Sequence, residues 1–184
     1  MTDTPAIIHS LLSDADILYT EQEILTAINK LAEDINKNNT ADSLVVIAIM
    51  TGAIVFAADL VKLLKVPLAI DYVDASRYGD NTTGGELTWR TEPTISLAGR
   101  EVLLLDDIFD EGLTLSAIRQ YCLEKGASKI TTAVLVDKQR DKQTSLRPDY
   151  VGLMIEDRYV VGYGMDYKGY LRNLPAIYAL NIKD

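Results

Sequence analysis

The sequence predicts an α/β domain, a parallel sheet flanked by helices with a small hood formed by the C-terminal segment and a mobile loop. Three observations carry that expectation. Short apolar runs of strand length alternate with stretches of helical periodicity through the middle of the chain. One run, Leu44 to Met50, is apolar at every position, as a strand covered on both faces must be. The 184 residues suit one domain, since domains average about 150 residues. Strands separated by helices imply crossover connections and parallel pairing.

The elements follow in chain order. Ile7, Ile8, Leu11, Leu12 and Ala15 recur at helical spacing. Thr20 and Glu23 have the spacing of a capping box, so a second helix starts there, and Ile24, Ile28, Leu31 and Ile35 line one face of it. Asn38-Asn39 ends it. Leu44 to Met50 is the first strand of the sheet, and Thr51-Gly52-Ala53 turns it into a helix whose Ala57, Leu60, Val61 and Leu64 face the core. Leu68 to Val73 is the next strand, and Val102 to Leu105 a third. After a loop comes a helix carrying Leu115, Ile118 and Cys122, which Gly126 terminates. Ile130 to Val136 and Tyr150 to Ile155 complete the strands. Residues 76–93 are polar and glycine-containing, with a short strand at Leu87 to Arg90, and read as the mobile loop. The C-terminal part is rich in Tyr and ends in an apolar run from Ala176 to Ile182. The expected organisation is a single domain over residues 1–184. Its core spans about 40–155, and its hood is built from the N-terminal helix and about 156–184.

Composition narrows the function. Asp plus Glu number 27 and Lys plus Arg 18, a net charge of −9, which disfavours a nucleic-acid partner held through phosphates. A single cysteine, Cys122, precludes an internal disulfide, and with a single histidine, His9, it excludes an ordinary zinc site. The longest apolar run is too short for a bilayer, and Met1-Thr2-Asp3-Thr4-Pro5 lacks the basic flank of a signal peptide. The expectation is a reduced, cytoplasmic protein with no membrane partner.

The most informative segment is Val102-Leu103-Leu104-Leu105-Asp106-Asp107-Ile108-Phe109-Asp110-Glu111-Gly112-Leu113-Thr114-Leu115. An apolar strand runs straight into two adjacent carboxylates, with a third at Asp110. Ligands of open parallel sheets bind beyond the carboxyl ends of the strands. Loop amides at a helix start form a positive concavity that favours phosphate. Gly112 lets the backbone approach closely, and Thr114 adds a hydroxyl donor. Ionised carboxylates only accept hydrogen bonds, so the pair fits either a sugar diol or a Mg²⁺ bridge to phosphates. The plainer alternative, a capped helix beside solvated charges, must account for three acids, a glycine and a threonine on one strand-to-helix turn.

This segment resembles the phosphoribosyl-diphosphate motif of type I phosphoribosyltransferases, in the branch acting on 6-oxopurines, the hypoxanthine-guanine phosphoribosyltransferases. The likeness runs from about Leu44 to Asn173. Its second anchor is Asp157-Arg158-Tyr159-Val160-Val161-Gly162-Tyr163-Gly164-Met165-Asp166-Tyr167, similar to that family's purine-binding segment.

The resemblance implies a role for each matching residue. Asp106 and Asp107 would hold the ribose hydroxyls, directly or with Mg²⁺. Asp110 would be the general base or acid beside purine N7. Glu111, Gly112, Leu113 and Thr114 would form the 5′-phosphate loop. Lys138 would donate to the exocyclic O6, Tyr159 would stack on the purine, the Val160 backbone would read its edge, and Ile108 would flank it. Asp166 would join the metal site at the purine end, and Arg172 would meet the pyrophosphate. Met50-Thr51-Gly52 aligns with a pyrophosphate loop that often contains a cis non-proline peptide, so Thr51 and Gly52 are assigned to pyrophosphate. Ser76-Arg77-Tyr78 resembles the start of the closing loop, which adds Arg77 and Tyr78 to that set. The implied partners are small-molecule substrates, phosphoribosyl diphosphate and a 6-oxopurine, with no nucleic acid. A homodimer or homotetramer is expected on the same ground.

Three positions depart from commoner family patterns. Glu111 stands where many members have threonine, so its carboxylate must turn away from the bound anion. Leu113 and Thr51 stand where some relatives carry lysine. The implied reaction is transfer of 5-phosphoribosyl to hypoxanthine or guanine with release of pyrophosphate. Two rivals predict other results. A phosphorylatable receiver module also sets an Asp pair at a strand end, but too little chain follows Asp106 to complete its sheet. An RNA-binding relative of the transferases would need a basic patch hidden within the acidic average.

Overall fold

The computed structural model describes residues 4–77 and 87–182, with side chains over 7–75 and 88–182. Helix α1 (Thr4–Ser13) and strand β1 (Asp16–Tyr19) precede helix α2 (Glu21–Asn38). The helix expected to reach Ala15 stops at Ser13, and the chain then extends into β1. Thr20 caps α2 reciprocally: Thr20 N–H donates to Glu23 Oε2 at 2.8 Å, and Glu23 N–H donates to Thr20 Oγ1 at 3.4 Å. Ile24, Ile28, Leu31 and Ile35 form its buried stripe.

Strand β2 (Leu44–Met50) leads to α3 (Ile54–Leu60), a short 3₁₀ turn (Val61–Leu63) and β3 (Leu68–Arg77). Strand β4 (Leu87–Thr91) returns beside β3, and β5 (Glu101–Phe109), α4 (Leu113–Glu124), β6 (Lys129–Gln139) and β7 (Tyr150–Glu156) follow. These strands form a sheet of order β4-β3-β2-β5-β6-β7, parallel throughout except for antiparallel β4. Strands β8 (Val160–Val161) and β9 (Ile177–Ala179) join β1 in a second, antiparallel sheet of order β1-β9-β8. The Tyr19 hydroxyl ties that sheet to the main one by donating to Met154 O at 2.7 Å.

Both faces of the main sheet are covered, and the period of two sorts its residues between them. Val46, Ala48, Leu103, Leu105 and Leu135 pack against α2 and α3 through Ile28, Leu31, Phe56 and Leu60. Val45, Ile47, Leu104 and Val134 pack against α4 through Leu115, Ile118 and Cys122. Burial of all these side chains accounts for the unbroken apolar run of β2.

Two expectations change. Strand β5 does not end at Leu105 but continues to Phe109, so Asp106 and Asp107 are strand residues rather than loop residues, Asp106 paired with Val134 of β6. Strand β3 runs on from Val73 to Arg77, and the short strand expected at Leu87 to Arg90 pairs with it as a hairpin, with Asp74 opposite Thr91 and Arg77 opposite Leu87. Trp89 fixes this hairpin against Tyr121 of α4, with ring centroids 4.3 Å apart. The tip of the expected loop, with Tyr78, lies outside the described residues, as does the Arg77 side chain. No helix among the described residues is long and apolar enough to cross a membrane.

Candidate active site

The carboxyl ends of β2 and β5, the start of α4 and the segment after β8 enclose a cleft of about 320 Å³. Its floor is the end of β5. Asp106 and Asp107 are buried there, 7 % and 8 % exposed, and Asp107 N–H donates to Asp106 Oδ1 at 3.1 Å. Burial pushes the Asp106 carboxyl well above its ordinary range, and the neighbouring Asp107 charge pushes it further. Burial also raises Asp107, against the opposing pull of a hydrogen bond from Asp106 and of the Arg172 charge. Two acids kept from water side by side make a strong acceptor pair with no salt-bridge partner among the described residues.

The chain then turns through Asp110, Glu111 and Gly112 into α4. Gly112 has a φ of 82°, and a Cβ there would come within 2.6 Å of the Phe109 ring, so only glycine fits the corner. No side chain caps α4. The first backbone N–H groups of a helix have no partner within it, and Leu113, Thr114 and Leu115 line the cleft at that point. An uncapped, amide-presenting helix start is an anion site by its dipole and its donors.

The opposite wall is Met50-Thr51-Gly52, with a cis peptide between Met50 and Thr51. A Cβ on Gly52 would lie 2.2 Å from Asp107 Oδ2, and one on Gly164 would lie 2.0 Å from Gly52 O. Gly52 therefore lets the β2 turn pack against the Asp107 carboxylate, and Gly164 lets the C-terminal segment meet the β2 turn backbone to backbone. Arg172 closes that end: its Nη2 pairs with Asp166 Oδ1 at 2.6 Å, and its Nη1 donates to Gly164 O at 2.5 Å. The other Asp166 oxygen accepts from Gly169 N–H at 2.6 Å.

Most residues singled out from the sequence meet here. Thr51, Gly52, Asp106, Asp107, Ile108, Asp110, Glu111, Gly112, Leu113, Thr114, Asp166 and Arg172 all line the cleft. Lys138, Tyr159 and Val160 do not. Lys138 is buried next to it, 3.1 Å from Asp110 Oδ2 and 3.7 Å from Asp157 Oδ1. Tyr159 is 46 % exposed, stands edge-on to Tyr167 at 5.7 Å, and donates from its hydroxyl to Asp166 O at 3.2 Å. Val160 is buried in β8, paired with Ala179. Among the described residues no three His, Cys, Asp or Glu side chains cluster as a metal site, so Asp166 stands apart from Asp106 and Asp107.

Sequence reading passed over two charged residues. Arg140 reaches Asp110 Oδ1 at 3.2 Å, Glu111 Oε1 at 3.5 Å and Asp157 Oδ2 at 3.8 Å. Lys142 pairs with Asp137 at 2.7 Å, donates to Phe109 O at 2.9 Å and lies 4.7 Å over the Phe109 ring. Inside the run Lys138-Gln139-Arg140-Asp141-Lys142 these residues look like a solvated surface. Their position just past the carboxyl end of a central strand is the signal that marks them. The Glu111 carboxylate is turned to Arg140.

Comparison with known proteins places this cleft in a family. Residues 14–168 match the phosphoribosyl transferase domain. A hypoxanthine-guanine phosphoribosyltransferase of Aquifex aeolicus is 33 % identical over 164 residues, 88 % of this chain and 92 % of that protein. The one from Bacillus subtilis is 34 % identical over 162 residues, 88 % of this chain and 90 % of that protein. Among solved structures, a Staphylococcus aureus hypoxanthine phosphoribosyltransferase superposes with a TM-score of 0.87 at 30 % identity, over 95 % of each chain. Conserved shape, matching length and the acid pair on one strand end agree: this chain belongs to the phosphoribosyltransferase family, among relatives named hypoxanthine-guanine phosphoribosyltransferases.

Proposed function

We propose that the protein transfers the 5-phosphoribosyl group of phosphoribosyl diphosphate to hypoxanthine or guanine, forming IMP or GMP and pyrophosphate, a purine-salvage reaction. The single observation that carries this reading is the acid pair and the uncapped helix start on one cleft. A phosphorylated sugar needs both, a hydroxyl acceptor and an anion cradle, about one ribose apart.

Each residue then has a role that its chemistry suits. Asp106 and Asp107 accept the ribose hydroxyls, and the amides from Gly112 to Leu115 with the Thr114 hydroxyl bind the 5′-phosphate. Thr51, Gly52 and Arg172 receive the pyrophosphate, and Arg77 and Tyr78 of the closing segment complete that set. Breaking the anomeric C–O bond leaves oxocarbenium-like charge on the ribose, which the buried carboxylates stabilise. As the purine nitrogen bonds to the anomeric carbon, the ring loses a proton. Asp110, ion-paired with Lys138 and Arg140, accepts it. Lys138 donates toward O6, Tyr159 stacks on the ring, and Ile108 and the Val160 backbone flank it.

The donor set fits a hard divalent cation. Asp106 and Asp107 offer only oxygens, and burial has left their charge short of compensation. Mg²⁺ would be held by the Asp106 and Asp107 pair or, apart from it, by Asp166, and would neutralise the leaving pyrophosphate. A homodimer or homotetramer is part of the same reading. It is supported by the exposed apolar side chains of Ile54, Ile70 and Tyr72 on one side of the sheet, and by a Trypanosoma cruzi relative, 31 % identical, studied for its oligomeric state and activity. A cytoplasmic setting suits the buried Cys122, whose thiol burial pushes up to about 11.

The test is nucleotide formation from phosphoribosyl diphosphate and each of hypoxanthine, guanine, xanthine and adenine. Turnover with hypoxanthine or guanine is expected, and no product with any base rejects the reading. Asp110→Asn should lower kcat by roughly 10²-fold or more, while Tyr159→Ala should chiefly raise KM for the base. Full turnover in Asp110→Asn would remove Asp110 from its role.

A further inference from the structure

We propose that Arg140 is a positioning residue that makes Glu111 tolerable in the phosphate loop, by holding its carboxylate, together with Asp110 and Asp157, off the anion site. The inference rests on the phosphate-loop assignment given under Proposed function. Its ground is where the strands end. Strands β5, β6 and β7 are neighbours, and the last bonded pairs are Phe109 with Asp137 and Gln139 with Glu156. The next residues along, Asp110 and Glu111 after β5 and Asp157 after β7, therefore flank Arg140, the first residue after β6.

The guanidinium uses a different nitrogen for each acid: Nη1 for Asp110, Nη2 for Glu111 and Nε for Asp157. A planar fork with five donors can do this, and the point charge of a lysine cannot. Without Arg140 the three carboxylates would share only Lys138, which touches Asp110 and Asp157 but not Glu111. Glu111 would then be the acid without a counter-charge, on the loop that binds a phosphate. The side chains involved are 35–50 % exposed, and exposed pairs of this kind contribute little to stability. The effect of the fork is on where the acids point. The Glu111 backbone is held separately, its carbonyl accepting from Gln143 N–H at 3.0 Å, so the loop does not depend on the side chain for its path.

A double-mutant cycle on the full chain tests this, with wild type, Arg140→Ala, Glu111→Gln and the double variant. Binding of ribose 5-phosphate is read by calorimetry, and KM for phosphoribosyl diphosphate and kcat by turnover. An uncompensated like charge a few ångströms from the phosphate weakens binding by roughly tenfold at a protein surface. Arg140→Ala is therefore expected to weaken ribose 5-phosphate about tenfold and to raise KM for the diphosphate by a like factor. The fall in kcat should be smaller, because Lys138 still holds Asp110. In the Glu111→Gln background the same change should cost less than about threefold, since the charge to be restrained is gone. Arg140→Gln carries the cycle by a second route, with a side chain that is still polar. An equal loss in both backgrounds would mean that Arg140 binds the anion itself, and no loss in either would mean that it does nothing at the loop. Each result overturns the proposal. Coupled loss of ribose 5-phosphate binding in a protein that turns over no oxopurine would reject the acceptor assignment and leave the role of Arg140 standing.

Discussion

Gly164 stands where the C-terminal segment meets the β2 turn with no room for a side chain. Its φ is 103°, and a Cβ would come within 2.0 Å of the Gly52 carbonyl oxygen. Gly164→Ala must therefore strain the backbone and push the C-terminal segment away from the β2 turn. A loss of about 2 kcal/mol in unfolding free energy is expected, with a large loss of turnover because Arg172 and Asp166 move with the segment. Chemical denaturation beside an activity assay checks both. The buried acids give a pH-dependent prediction. Asp106 and Asp107 have folded-state carboxyls raised above their unfolded values, so they favour folding below the ordinary carboxylate range and oppose it once pH rises through the raised folded values. At neutral pH Asp106→Asn should thus raise the melting temperature by a few degrees, which corresponds to roughly 1 kcal/mol in a chain of this size. At acid pH the gain should vanish. Mg²⁺ should stabilise wild type more than the variant, and equal melting shifts with Mg²⁺ in both would contradict the assignment of the pair to a cation. Residue types alone made these acids visible. They could not show burial, and burial is what sets their chemistry.

At the scale of elements, the site depends on β5 outlasting its apolar run. The run stops at Leu105, and a binary pattern reads the acids beyond it as loop. The strand continues because its ladder to β6 continues, pairing Asp106 with Val134 and Ile108 with Val136. Functional residues thus break the local rule at the point where the structure departs from the sequence expectation. The second sheet was hidden for a different reason: β1, β8 and β9 have only four, two and three residues, too short to show a period. The capping box at Thr20 and Glu23, by contrast, was legible because it is local. The segment bearing Thr94 and Ile95 depends on a distant acid. Asp71 accepts from the backbone N–H groups of Tyr72, Thr94 and Ile95. Burial pushes its carboxyl up, but these hydrogen bonds outweigh it and hold the group below its ordinary value. Its contribution is therefore present above the unfolded value and lost as pH falls through the folded one. Asp71→Ala should cost about 2 kcal/mol at neutral pH, with a smaller difference from wild type in acid, measured by denaturant titration.

At the scale of the molecule, the arrangement was legible because long-range order follows from local alternation. Apolar strands covered on both faces, separated by helices, leave few topologies. The corner of the cleft between β5 and α4 was legible too, since one contiguous stretch from Asp106 to Thr114 supplies it. The charged group around Asp110 was not. Arg140 and Asp157 come from different strands, and only the order β5-β6-β7 brings them together. Lys138 and Tyr159, proposed above to meet the base, likewise sit beside the cleft rather than in its wall.

A crystal structure of the protein with GMP shows directly where a nucleotide lies in this cleft. The ribose hydroxyls should meet Asp106 and Asp107, with the 5′-phosphate on the amides between Gly112 and Leu115 and the guanine between Tyr159 and Lys138. GMP bound at another surface, with this cleft empty, would contradict that placement.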